Sequence, residues 1–386
     1  MKKATLISGS LIFLVMLLAH GQGAAAEPLR YAATVDAAKS TPPKAGGQAE
    51  WQTTVEAAKK EGAVVVYEQW GPRARAELGR AFKNKFGIDI QFVSAGTSTQ
   101  LVPKLTTERR AGLYLADVIG SGITTTLTQM KPAGILAPID HMLILPEVKD
   151  LKVWTDGKLF LDKEKLMIGM SADFGSYVAR NTELAKDGEV KSYYDLLDPK
   201  WKGKIVLHDP MITGPGNAWV FALASLLGMD KAKDYLRQFL KQEPVLVRDY
   251  RLQIEGIAKG KYALVAGVHA PTLAEFQKLG APVAKLRVKE GGLATAGAGT
   301  LCLPAGQLPH PNAAKVFINW ILTKEGQTLF SKVYIRPSAR IDVSTAGFED
   351  SVPLPNDRVV FEEEETIGLK AQMIDVAKEI LASLRK

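Results

Sequence analysis

The feature that most narrows what this chain can fold into is an alternation of short apolar runs with helical stretches, and it occurs twice. Trp51, Val55 and Ala58 recur at helical spacing until Gly62, and Ala63-Val64-Val65-Val66-Tyr67 then reads as a short buried strand. Residues 72–86 follow as helix, 88–93 as strand, 99–111 as helix and 116–119 as strand. Strands separated by helices of about 10 to 15 residues need crossover connections, so the sheet they build is mostly parallel and covered by helices.

The second series runs strand 204–207, helices 216–227 and 231–240, strand 245–247, helix 252–259 and strand 262–266. Between the two series lies 167–180, where Gly169, Ser171, Gly175 and Ser176 suit an extended, bendable crossing. The small-residue stretch 291–299 would carry the chain back. From Trp51 on, about 336 residues remain, too many for one core and suited to two of roughly 100 to 200 residues each. The expected fold class is α/β with two lobes, each a mostly parallel sheet flanked by helices. Residues 51–172 and 293–338 would form the first lobe, 173–292 and 339–386 the second. A cleft between two such lobes is where small ligands usually bind.

The N-terminus stands outside this pattern. Lys2 and Lys3, an apolar run from Leu6 to Ala19 and the small residues Ala24-Ala25-Ala26 have the order of a cleaved secretory signal over 1–26. The apolar run is short of the ~20 residues that cross a bilayer as a helix. No cysteine near the cut is available for lipid attachment. Residues 27–50, with Pro42-Pro43 and Gly46-Gly47, read as a loose leader. Removing Lys2 and Lys3 lowers the formal charge from +8 to +6. That excess can draw an anionic ligand, but no dense Lys/Arg block suggests nucleic acid. The one cysteine, Cys302, lies in Thr300-Leu301-Cys302-Leu303 and reads as a small hydrophobe in a buried strand; alone it forms no intrachain disulfide.

Enzyme constellations are missing: there is no phosphate-cradling Gly-x4-Gly-Lys-Ser/Thr, no His-Glu-x-x-His and no Gly-x-Ser-x-Gly. His141, His208, His269 and His310 show no metal-ligand spacing, so neither a metal nor a cofactor is expected. The run Glu362-Glu363-Glu364-Glu365 reads as the solvated first turn of a helix over 367–384. What remains are loops rich in Gly, Ser and Thr: Gly96-Thr97-Ser98, Gly120-Ser121-Gly122 and Thr213-Gly214-Pro215-Gly216-Asn217. Each can cap its own helix or offer free backbone N–H groups to an anion.

The order of these loops resembles the ferric-ion-binding and related type 2 periplasmic binding proteins over residues 64–340. The landmarks are Val65-Val66-Tyr67, Ala116-Asp117-Val118, Asp198-Pro199-Lys200-Trp201-Lys202-Gly203-Lys204, Ile318-Asn319-Trp320 and Lys324-Glu325-Gly326-Gln327. The resemblance implies a hinged pair of lobes that closes on one ligand and docks on a permease of an ATP-driven importer, with the chain acting as a monomer. It also exposes departures. Where ferric-binding members carry paired tyrosines this chain reads Gly267-Val268-His269-Ala270-Pro271, and where a histidine is common it reads Glu68-Gln69-Trp70-Gly71. Tyr193-Tyr194 lies elsewhere and reads as a packing or surface pair. A trivalent cation lacks hard oxygen ligands at these positions.

The cargo expected is therefore a small organic anion such as a phosphonate, sugar phosphate or carboxylate. The resemblance puts its charge on Thr213, Gly214, Gly216 and Asn217, the loop where iron-binding relatives hold an accompanying anion. Gln69, Thr97, Ser98, Ser121 and Gly122 would face it from the other lobe. Trp70 and Phe174 would pack on its apolar part, and Tyr250, Arg251 and His269 would complete the wall, Arg251 as a two-pronged contact or as a surface ion pair. Ferric ion or a ferric chelate, an exported enzyme on the same scaffold and a receptor-coupled sensor remain as alternatives.

Overall fold

The computed structural model describes residues 45–212 and 214–383. The expected signal at 1–26 and residues 27–44 of the expected leader lie outside these. The leader reading needs a correction at its end: the first helix spans Ala45–Glu61 and so begins six residues before Trp51. Apolar periodicity missed this start because Gly46, Gly47 and Gln48 carry none. The helix packs along the helix Pro311–Leu322, with Trp51 edge-on to Phe86.

Two sheets hold separate cores. In the first, Asp89–Ser94, Ala63–Glu68 and Val118–Ser121 run parallel; Thr300–Pro304 then pairs antiparallel with Val118–Ser121, and with Leu136–Ala137 and Met167–Gly169. In the second, Val245–Val247, Ile205–His208 and Leu264–Ala266 run parallel; Val178–Asn181 lies antiparallel beside Leu264–Ala266, and Val283–Lys285 pairs antiparallel with Val178–Asn181, so it runs with the centre. Each sheet thus has the expected parallel centre. The strands that arrive from the other half run the opposite way, because they enter from the cleft side.

The family landmarks turn out to be fasteners. The fully buried carboxylate of Asp117 accepts from Val65 N at 2.8 Å and from His310 N at 2.7 Å, and meets His310 Nδ1 at 2.8 Å. One side chain therefore ties the central strand to the helix Pro311–Leu322. Asn319 does the same for an irregular segment, accepting from Ile144 N at 2.7 Å and Leu145 N at 3.0 Å and donating to Met142 O at 2.8 Å. Buried polar groups satisfied in this way specify one packing.

The halves are joined by a small third sheet. Asp173–Gly175 pairs antiparallel with Gly292–Thr295, which pairs parallel with Val359–Phe361. The two crossings read from small residues are the first two strands; the third, which ends against the acidic run, carried no such signal. Residues 339–342, assigned by sequence to the second lobe, pack with the first: Arg340 donates to Leu322 O at 3.0 Å and lies over the Trp154 ring.

The solvated reading of Glu362-Glu363-Glu364-Glu365 fits only the exposed Glu365 and fails for the other three. The C-terminal helix, Glu364–Ser383, packs on the helices Pro215–Leu227 and Met229–Leu240 of the second half, yet its acidic leading edge grips the first. Glu362 is 4% exposed, pairs with Lys370 and accepts from Thr124 Oγ1 at 3.0 Å and Thr295 Oγ1 at 2.6 Å. Glu363 meets Lys158 at 2.9 Å, and Glu364 meets Lys131 at 2.5 Å and Lys163 N at 2.8 Å. The charges are used between halves instead of being hydrated.

Candidate ligand cleft

The second half presents its strand ends to the cleft, which is where open α/β sheets place ligands. His208 closes the strand Ile205–His208 and is fully buried. Gly216 N donates to its Nδ1 at 3.2 Å, so the ring proton sits on Nε2. Burial holds its pKa below the ordinary value, leaving a neutral Nε2–H donor. That donor has no acceptor among the described residues.

Glycine makes this arrangement possible. A Cβ on Gly216 would stand 2.2 Å from His208 O, and one on Gly214 would stand 2.9 Å from Tyr250 Oη and 3.1 Å from the His208 ring. Tyr250 lies 5.1 Å from the His208 ring and stacks on His269 at 4.3 Å and 13°. His269 Nδ1 bonds Thr272 Oγ1 at 2.9 Å. Burial, then Arg336 and His208, push its pKa down to about 3, so this imidazole is neutral too.

The cation that acts on this wall comes from the first half. Arg336 follows the helix Lys324–Tyr334 and a left-handed Ile335, and its NH1 donates to Asp173 Oδ2 at 2.9 Å. Its Nε is buried without a partner among the described residues. Burial disfavours its charge, but Tyr334 and Asp173 outweigh that and raise its pKa further. Tyr177, at a left-handed φ of 59°, accepts from Gly267 N at 2.8 Å and Val268 N at 3.1 Å and links the crossing strand to this loop.

The residues expected at the site divide sharply. Gly214, Gly216, Tyr250 and His269 are gathered around His208. Asn217 is buried and its Oδ1 accepts from Gly214 N at 3.5 Å, capping its own helix; Thr213 lies outside the described residues. Gln69, Ser98 and Gly122 are brought together but spend their polar atoms on one another. Gln69 Oε1 accepts from Ser98 N at 2.7 Å, and Ser98 Oγ accepts from Gly122 N at 2.6 Å and from the Gln69 amide. Thr97 is exposed at the helix entry, where its N–H donates to Gln100 Oε1 at 3.3 Å, and Ser121 is buried with its hydroxyl unpartnered among the described residues.

Two expectations fail on geometry. Trp70 is a core residue: its ring covers Gly120, lies edge-on to Phe330 at 5.2 Å and donates through Nε1 to Ala298 O at 3.1 Å. Arg251 is 66% exposed and pairs with Glu255 one helical turn on, so it is the surface ion pair and not a cleft contact. Phe174 packs on Gly292 and under Arg287, beside the Arg336 partner Asp173. His208 and Arg336 were not foreseen as site residues. The available signal was a histidine ending an apolar strand before Asp209-Pro210, and an arginine held between a helix end and Pro337.

With this geometry in place, the likeness to known proteins is specific. Residues 77–355 match the bacterial extracellular solute-binding protein family. The chain belongs to that family. It is thus a bacterial extracellular solute-binding protein, and its fold is that of the type 2 periplasmic binding proteins. A curated but uncharacterized Haemophilus influenzae protein is 24% identical over 253 residues, 65% of this chain and 70% of that one. Among solved structures, AfuA from Actinobacillus pleuropneumoniae, with exogenous fructose-6-phosphate bound, is 21% identical with a TM-score of 0.64, covering 82% of this chain and 97% of that one. Trichodesmium IdiA (FutA), in complex with iron and citrate, is 19% identical with a TM-score of 0.66, covering 83% and 99%. Iron-bound HitA from Pseudomonas aeruginosa is 18% identical with a TM-score of 0.62, covering 82% and 99%. At these identities the likeness establishes the fold.

Proposed function

We propose that this solute-binding protein is exported through a cleaved signal at 1–26, captures a small organic anion between its two halves and delivers it to an inner-membrane permease. One observation carries the reading. Two buried hydrogen-bond donors have no acceptor among the described residues, His208 Nε2–H in the second half and Arg336 Nε in the first; both side chains act on His269, and Arg336 stays charged. A buried unmatched donor costs about 1–3 kcal/mol, so a ligand oxygen that accepts from both would favour the closed form. The fructose-6-phosphate in AfuA, an organic anion on the same fold, is consistent with this.

Ferric capture finds less to work with. Among the described residues there is no group of three or more His, Cys, Asp and Glu side chains able to hold one metal ion, and His269 stands where the resemblance calls for a tyrosine. Calorimetric titration of the mature protein with carboxylates, phosphonates, sugar phosphates, neutral sugars and ferric citrate tests the reading. Saturable binding of one anion class is expected. Binding of neutral sugars alone, or of iron with a tyrosinate colour, overturns it.

A further inference from the structure

Arg336 does not act on the His269 wall as a free cation. Its Nη1 donates to Asp173 Oδ2 at 2.9 Å, and the two side chains are only 12% and 11% exposed. Asp173 belongs to the crossing strand Asp173–Gly175, where it pairs with Thr295, so its carboxylate is held at the junction of the halves. The guanidinium has little room to turn away: it lies 5.6 Å from the Tyr334 ring centre, and a Cβ on Gly297 would stand 3.0 Å from Nη1. The charges nearby are matched. Asp209, next to His208, is held by Arg248 at 2.8 Å, Arg287 by Asp357 at 2.7 Å, and Glu362 by Lys370. Lys285 lies 3.9 Å from Asp173 and donates to Ser351 Oγ, whose neighbour in the chain, Asp350, is an exposed carboxylate.

We infer that Asp173 is a charge-selecting residue, which by occupying Arg336 restricts the cargo to an organic anion with a single negative charge. The inference rests on the anion reading above and narrows its substrate class. With a ligand oxygen about 4 Å from the guanidinium and about 6 Å from the Asp173 carboxylate, repulsion cancels roughly two-thirds of the attraction. That remainder grows only in proportion to the ligand's charge. The cost of stripping water from an ion grows with the square of its charge, so a second charge costs about three times the first. Nothing else on the wall makes up the difference, since burial keeps His208 and His269 neutral. One charge is therefore accommodated and a second is rejected.

The experiment is calorimetric titration of the mature protein at pH 8.5 with matched pairs of anions: methanesulfonate against methylphosphonate, propionate against succinate, and dimethyl phosphate against monomethyl phosphate. In each pair that binds, the singly charged member should be preferred by at least about tenfold. Asp173→Asn keeps an oxygen for Arg336 Nη1 but deletes the charge. It should raise affinity for the doubly charged member at least about tenfold more than for the singly charged one, whereas damage to the fold alone would weaken both alike. Should the variant fail to fold, the wild-type preference decides alone. Doubly charged members favoured by the wild type, or a preference that Asp173→Asn leaves unchanged, overturns this inference and leaves the anion reading standing. No anion bound at all sinks both.

Discussion

Glu362 and Lys370 form an ion pair in which each side chain is only 4% exposed, set where the C-terminal helix of one half meets Thr124 of the other. Burial alone would raise the carboxyl's pKa; Lys370 and the hydroxyls of Thr295 and Thr124 outweigh it and bring the value below the ordinary one. Removing one partner strands a buried charge, which costs about 3–5 kcal/mol. Glu362→Gln and Lys370→Met should each lower stability by about 3 kcal/mol in urea unfolding, and the double variant should be less destabilised than their sum. Losses under about 0.5 kcal/mol, the surface-site range, would return the acidic run to the solvated role its sequence suggested.

The outer members of the run make a different prediction. Glu363–Lys158 and Glu364–Lys131 also cross between halves but are partly exposed, so each is worth about 0.2–1 kcal/mol. Glu363→Gln/Glu364→Gln should barely move the unfolding midpoint while widening the ligand-free protein. Small-angle scattering should show a larger radius of gyration; an unchanged radius would mean these pairs do not restrain opening.

The alternation of strands and helices was legible because it depends on local apolar periodicity, and the strand Val245–Val247 and helix Pro215–Leu227 fall within a residue of where that periodicity puts them. Of the cluster around His208, the sequence named Gly214 and Gly216, where glycine betrays a close approach, together with Tyr250 and His269. His208 and Arg336 acquire their roles from partners 8 and 163 residues away, Gly216 and Asp173, and no local pattern encodes such pairings. The acidic run failed for the same reason: Glu363 and Glu364 find their lysines far back in the chain, at 158 and 131, and Glu362 is buried by Thr124 and Thr295 as well as Lys370.

Acid should weaken the ligand-free fold through His269. Its folded pKa is about 3 against an ordinary 6.5, so between those values the unfolded chain binds the additional proton and stability falls as pH falls. His208 is shifted in the same direction by burial. The melting temperature should decline from pH 6.5 toward pH 4, less steeply in His269→Phe. Identical slopes would show that His269 is solvated in the folded protein.

Cys302 is fully buried, and burial pushes its thiol up to about 12. At pH 8 it should resist a thiol-directed disulfide reagent in the native protein and react once per chain in denaturant. Rapid native labelling would mean that the strand Thr300–Pro304 opens readily.

Native mass spectrometry of the protein as purified from the periplasm, compared with Arg336→Gln, tests the central claim most directly. The wild type should carry a small organic anion, released chemically unchanged, and the variant should carry none while remaining folded. A neutral sugar or iron in the wild type, or the same anion retained in full by Arg336→Gln, would contradict it.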